Sequence, residues 1–262
     1  MKATILITGE NKEKYLYKTI NSCLNQNYKN YEIILLFSNI SNIEILKKKF
    51  HKKIRFKKIF KKKNPVQDQL NKISEGIKIA KGKFIFLLDG DDLFKKDKIK
   101  KIIGNREKNK IYLDNHILLE NNKFTYRARS KLKDNFIYRY LINPWPDKVC
   151  TSCISGEKRL FEEFFKKVSI NKYNYLAIDI LIVIFYLNKI IRFDDILTVK
   201  NVLNVSVDKR FSNFYKKIYW ERRIEQHKFL KEVQFKNYSL EFYFSKLISY
   251  FFDFQKYIQK TF

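Results

Sequence analysis

"KGKFIFLLDGDDLFKKDKI" (residues 81–99) decides how this chain is read. Residues 84–88 are apolar with no polar alternation, the pattern of a strand buried on both faces rather than half-solvated. Three carboxylates in four positions follow, Asp89, Asp91 and Asp92. Like charges so close repel and raise one another's pKa unless a cation or hydrogen-bond donors hold them. The cluster is therefore either a solvated turn or a metal site, and its surroundings must choose.

Working outward, residues 2–8 read as a buried strand, and residues 15–27 as a helix with Leu16, Ile20, Cys23 and Leu24 on one face. "YEIILLF" (31–37) is a second strand, followed by a short helix from about residue 43 and a basic strand from residue 54. After Pro65, Leu70, Ile73, Ile77 and Ala80 recur at helical spacing, and "KGK" ends that helix before the strand at 84–88. Helices alternating with such strands predict an α/β fold with a mostly parallel central sheet and helices on both faces. The carboxylates then lie beyond the C-terminal end of a central strand, where open α/β sheets place their ligands.

From residue 111 the pattern loosens. "IYLDNHILLENNKFTYRARS" predicts a hairpin turning at "ENNK", and "NPWPDKVCTSC" an ordered loop. Helices at 160–167 and 179–187 and a strand from 190 follow, then a basic, aromatic tail from residue 211 with helical tendency. The expected organisation is one domain, 1–210, in two halves, about 1–110 and about 111–210, with a helical C-terminal appendage, 211–262.

Hydrophobic residues at 45%, with 6 Gly and 3 Pro in 262 residues, describe a folded chain rather than a disordered one. A net charge of +28 invites an anionic partner. Lysines spread over every segment of a Lys-, Asn-, Ile-, Phe- and Tyr-rich chain also need no common target. "KKKFHKKIRFKKIFKKK" (47–63) has the basic, aromatic character of a nucleic-acid stripe, but no RNA or DNA motif accompanies it and the acidic strand end repels phosphate chains, so no specific nucleic acid is expected. Cys23, Cys150 and Cys153 make no disulfide framework, which points to a reducing compartment, and "CTSC" has no second pair to complete a zinc site. The apolar N-terminal run is too short for a signal-peptide core, and residues 176–187, interrupted by Asp179, are too short to span a bilayer. The tail's aromatics either close the core or lie on an anionic membrane.

A divalent ion held by hard carboxylate oxygens can bridge to a diphosphate and neutralise the charge that develops as it leaves. A second carboxylate one residue away can reach a nucleotide's sugar hydroxyl. Residues 80–92, "AKGKFIFLLDGDD", resemble the corresponding stretch of family 2 glycosyltransferases, usually Ala-x-Gly-Lys-Tyr-Ile-x-Phe-Leu-Asp-x-Asp-Asp. The beginning is similar to that family too, through Asn11, Ser22, Leu24, Gln26, Tyr28, Asn30 and Glu32. "NPWPDKV" resembles the Trp-x-x-Lys segment of capsule and lipopolysaccharide transferases, placing Trp145 and Lys148, and the region from Leu176 resembles the one in which relatives carry the catalytic acid, placing Asp179.

The resemblance implies a GT-A, Rossmann-like fold, with a nucleotide-sugar half over about 1–110 and an acceptor half over about 111–210, and metal-assisted, inverting transfer from a nucleotide sugar, by default a UDP-sugar, with Mn²⁺ or Mg²⁺. It implies Asp179 as base, Asp91 and Asp89 at the metal, Asp89 near the ribose, and Lys148 on phosphates or acceptor. The acceptor would be a glycan or lipid-linked saccharide, reached from the cytoplasm at the inner face of a bacterial plasma membrane. Departures fall on the nucleotide pocket. Relatives end the second strand with Asp-Asp-Gly-Ser, where this chain has Phe37, Ser38, Asn39 and Ile40. The usual Arg and Asn before the central strand are Ile73 and Ser74, and Thr8 and Glu10 replace residues of the first strand end. Either the base is held by stacking on Phe37 and bonds from Ser38 and Glu10, or the chain is a catalytically silent scaffold.

Overall fold

The computed structural model describes residues 1–9, 13–121, 123–125, 150–202, 213–234 and 237–261. Its first half is the predicted alternation. Strands β1 (Ala3–Gly9), β2 (Tyr31–Phe37), β3 (Arg55–Lys58) and β4 (Phe84–Asp89) pair in parallel in the order β3-β2-β1-β4. They are joined by helices α1 (Glu13–Leu24), α2 (Ile43–Phe50) and α3 (Pro65–Ile79). Parallel neighbours need such crossovers because a hairpin can only reverse the chain.

Period-two alternation divides the strand residues between two cores. Leu6, Ile34, Leu36, Ile85 and Leu87 face one side, against α3, while Ile5, Ile7, Leu35, Phe84, Phe86 and Leu88 face the other, with Leu16 and Ile20 of α1. Helix α3 starts where the sequence marks it. Asn64 accepts from the backbone N–H of Val66 at 2.8 Å and Pro65 occupies the first turn, where its missing N–H costs nothing. At Gly82 a Cβ would lie 2.5 Å from the Ala3 carbonyl carbon and 2.6 Å from the Thr4 nitrogen, so only glycine lets the chain pass β1 into β4.

The second half extends the sheet with mixed polarity. It contains β5 (Leu93–Phe94), α4 (Lys98–Gly104), β6 (Ile111–Glu120), β7 (Lys123–Thr125), β8 (Ile154–Glu157), α5 (Lys158–Lys167), α6 (Ile178–Phe185) and β9 (Ile190–Asn201). The order continues from β4 through β8, β6 and β9 to β5; β8 is antiparallel to both β4 and β6, while β6 and β9 are parallel. The β6–β7 hairpin turns through Asn121, whose φ of 49° lies in the left-handed region that asparagine tolerates.

The tail forms α7 (Lys217–Gln234) and α8 (Leu240–Thr261). Phe229 of α7 is fully buried in the same core cluster as α3 and α6, edge-on to Tyr173 at 5.1 Å. Glu225 accepts from the backbone N–H groups of Asn174 and Tyr175, both at 2.8 Å. Part of the tail therefore closes the core. Helix α8 buries Phe242, Ser245 and Ser249 but leaves Tyr243, Phe244, Leu247, Tyr250, Phe251 and Phe254 more than half exposed. Among the described residues no helix is long and apolar enough to cross a membrane.

Candidate active site

The acidic turn sits where strand order reverses, between the C-terminal ends of β1 and β4, whose register pairs Thr8 with Asp89. Gly90 N–H donates to the Thr8 carbonyl at 2.9 Å, and a Cβ there would meet that same oxygen at 2.9 Å. Glycine thus lets the turn fold back onto β1 and presents Asp89 and Asp91 on either side. Both line a cleft shared with Thr8, Asp179 and Lys200.

The three carboxylates have separate surroundings. Asp89 Oδ1 accepts from Gln69 Nε2 at 2.8 Å and Thr8 Oγ1 at 3.1 Å, which orients it into the cleft. Asp92 is 2% exposed and ties the turn inward: its Oδ2 accepts from Ser152 Oγ at 2.6 Å and its Oδ1 from Asn201 N–H at 2.9 Å. Burial, then the charges of Asp91 and Asp89, push the Asp92 carboxyl well up from the ordinary range. Ser152 Oγ also accepts from Asp89 N–H at 3.0 Å, and the Asn201 side-chain amide donates to the Asp91 carbonyl. Asp91 lines the cleft while its backbone is held.

Asp179 arrives from the far side. Helix α6 buries Ile178, Leu181 and Ile182 in the core, so its one acid, in the first turn, is the residue left at the cleft, where its charge also suits the helix N-terminus. Its Oδ1 accepts from Ile180 N–H at 2.9 Å. Residues 89, 91 and 179 thus converge on one cleft.

The end of β2 differs from expectation. Phe37 follows Ile33 and Leu35 onto the face packed against α1 and α2, and at 4% exposure its ring faces are covered by core side chains; it does not stand ready to stack on a base. Ser38 donates instead to Asp68, with 3.3 Å to either carboxylate oxygen. Asp68 also accepts from Lys62 N–H at 2.8 Å and pairs with Lys72 Nζ at 2.6 Å, while Lys72 donates to the Gly9 carbonyl at 3.3 Å. Asp68 and Lys72 line the cleft, and sequence reasoning missed both, since an Asp and a Lys four apart on a helix read as a surface pair. Glu10, Trp145 and Lys148 lie outside the described residues.

A second buried pair supports the turn from behind. Lys98 Nζ donates to Asp114 Oδ1 and to the Ser152 carbonyl, both at 2.6 Å, and to Thr198 Oγ1 at 2.7 Å. The Thr198 hydroxyl in turn donates to Asp114 Oδ2 at 2.7 Å. Burial pushes the Asp114 carboxyl up to about 7, with Lys98 opposing the rise. A carboxyl that titrates higher folded than unfolded holds its proton more tightly in the native state. Its contribution to stability therefore falls as pH rises from about 4 to about 7. Lys98→Met is expected to cost about 3–5 kcal/mol by leaving Asp114 buried without its cation. Denaturant melts should show a larger deficit at pH 8 than at pH 6, where a protonated Asp114 needs no counter-charge; an equal deficit at both would place the loss in packing alone.

Comparison with known proteins agrees with this architecture. The family model described as "Glycosyl transferase family 2" matches residues 4–168. An uncharacterized glycosyltransferase of Rickettsia conorii is 30% identical over 169 residues, covering 62% of this chain and 27% of the relative. One of Haemophilus influenzae is 32% identical over 125 residues, covering 47% of each chain. The chain therefore spans less than half the length of these curated relatives. Among solved structures, Staphylococcus aureus TarS residues 1–349, in complex with UDP-GlcNAc, superposes with a TM-score of 0.62 at 17% identity over 95% of this chain and 70% of that one, a likeness of fold. With the parallel β3-β2-β1-β4 half, the acidic strand end and the family match over most of the sequence, the chain belongs to glycosyl transferase family 2 and carries the GT-A fold.

Proposed function

We propose that this protein transfers a sugar from a nucleoside-diphosphate sugar to a hydroxyl of a glycan or lipid-linked saccharide, with inversion at the anomeric carbon. The observation that carries the reading is the convergence of Asp89, Asp91 and Asp179 on one cleft at the strand-order reversal. Asp179 takes the proton of the acceptor hydroxyl, whose oxygen bonds to the anomeric carbon as the bond to the diphosphate breaks on the opposite side. Asp89 and Asp91 offer hard oxygen donors, a set that fits Mn²⁺ or Mg²⁺ rather than a softer ion. Such an ion, when bound, neutralises charge on the departing diphosphate. Lys200, at the same cleft, adds positive charge for that end of the donor. Thr8 and Gln69 orient Asp89 toward the ribose, and Ser38 with Asp68 supplies polar groups near the place where relatives carry their base-binding acid. The three acids held on one cleft favour a working pocket over a silent scaffold.

UDP-GlcNAc in TarS supports a uridine donor as the first candidate. The test is a thermal-shift and hydrolysis screen over UDP-, GDP-, CMP- and dTDP-sugars with and without manganese. One UDP-sugar should raise the melting temperature in a manganese-dependent way; no stabilisation by any donor would leave the fold without this activity.

For a surface glycan of capsule or lipopolysaccharide type the acceptor would lie at the cytoplasmic face of a membrane. The exposed aromatic face of α8 and the net charge of +28 fit peripheral contact with anionic lipid. Each Lys or Arg near such a surface contributes roughly 1 kcal/mol. Co-sedimentation with phosphatidylglycerol vesicles is expected at about 0.1 M salt, where screening acts over about 10 Å. Protein that stays in the supernatant would remove the membrane contact without touching the donor chemistry.

A further inference from the structure

Two thiols and an imidazole meet beside the carboxylates, and the transfer chemistry gives them no role. A 3₁₀ turn, Thr151–Cys153, brings Cys150 Sγ to 3.1 Å from Cys153 Sγ, and Cys153 Sγ lies 3.6 Å from Nδ1 of His116. The three ligand atoms all fall within 4.8 Å of one another. Both cysteines are buried, and Cys150 forms part of the cleft wall. His116 comes from a different element. In β6 the pairing with β9 shifts register on either side of Asn115, the kind of irregularity that re-aims side chains. No local sequence rule forces this meeting.

We propose that His116, Cys150 and Cys153 bind a divalent ion of the zinc class, a second metal site whose ligand chemistry differs from that of Asp89 and Asp91. Thiolate and imidazole donors select zinc or a similar soft to borderline ion, whereas carboxylates select magnesium or manganese. In a tetrahedral zinc site with bonds of about 2.3 Å to sulfur and 2.0–2.1 Å to nitrogen, sulfur lies about 3.5 Å from nitrogen and sulfurs about 3.7 Å apart. The His116–Cys153 separation already meets this, the thiols need to open by about 0.6 Å, and the Cys150 and His116 ligand atoms, which lie within 4.8 Å of one another, need to settle at about 3.5 Å. On binding, each thiol gives its proton to water and forms one sulfur–metal bond. A disulfide would instead draw the sulfurs in by about 1 Å, to about 2.05 Å, would require an oxidant, and would leave the imidazole unused.

The ion's structural consequence is local. It would pin the turn carrying Ser152 to β6, and Ser152 is the residue that holds both Asp89 N–H and Asp92. This inference does not depend on which donor the cleft takes.

The test uses the full chain, reduced and stripped of metal, titrated anaerobically with cobalt(II) and then zinc(II). One cobalt equivalent should produce a thiolate-to-metal charge-transfer band, bleached by zinc, retained in Asp91→Asn and lost in Cys153→Ser. His116→Gln should weaken cobalt binding at least tenfold. X-ray absorption at the zinc edge of the wild-type protein, which depends on no variant folding, should count two sulfurs near 2.3 Å and nitrogen at about 2.0–2.1 Å. Absence of the band, a band that survives in a folded Cys153→Ser protein, a sulfur-free zinc shell, or a Cys150–Cys153 disulfide in protein isolated under reducing conditions would each overturn the proposal.

Discussion

Asp91→Asn is expected to abolish sugar transfer while the protein melts as cooperatively as the wild type. The substitution keeps size and shape and removes one charge from a turn that already crowds Asp89, Asp91 and Asp92, so repulsion falls. The turn itself is held by groups the variant leaves alone: Gly90 N–H on the Thr8 carbonyl, Ser152 and Asn201 on Asp92, and the Asn201 amide on the backbone carbonyl of residue 91. What is lost is a hard anionic donor to the ion that stabilises the departing diphosphate, a contribution of several kcal/mol, or about 10³-fold in rate. Transfer assays beside thermal melts read both halves of the expectation. Wild-type turnover in the variant, or full activity of the native enzyme in excess EDTA, would sink the metal role of Asp91.

Much of the first half was legible because its signals are local. The strand at 84–88 lacks polar alternation, Asn64-Pro65 marks a helix start, and "KGK" marks a strand entry, so β1 to β4 fall within a residue or two of where the pattern puts them. The second half depends on pairing between distant segments, and nothing near Ile154 announces that β8 will run antiparallel between β4 and β6. The candidate residues of the cleft were marked in the same graded way. Asp89 and Asp91 are marked by their place at a strand end. Asp179 was reached through resemblance, and the structure places it on the shared cleft.

Phe37 was misjudged because aligning it with a missing acid overlooked side-chain alternation, which commits its ring to the core. Lys72 and Lys98 were invisible for another reason. In a chain with 55 lysines and arginines no residue-level signal says that these two, among the described residues, are buried; only their partners Asp68 and Asp114 reveal it. His116 belongs with them, since its approach to Cys153 spans thirty-seven positions and a register shift.

Asp179→Asn is expected to leave donor affinity within a few-fold of wild type and to lower kcat by about 10² to 10⁴, the usual contribution of a positioned general base. The variant separates chemistry from structure well. Helix α6 is anchored by Ile178, Leu181 and Ile182, which the change does not touch, and an Asn side chain can still accept from Ile180 N–H. If Asp179 serves only to begin the helix, turnover should therefore hardly move. If it holds the donor, calorimetry should show affinity falling in step with turnover. Only a base removed from an otherwise intact cleft combines near-normal donor binding and melting with a collapse of kcat, because the amide keeps the geometry and cannot take the acceptor's proton.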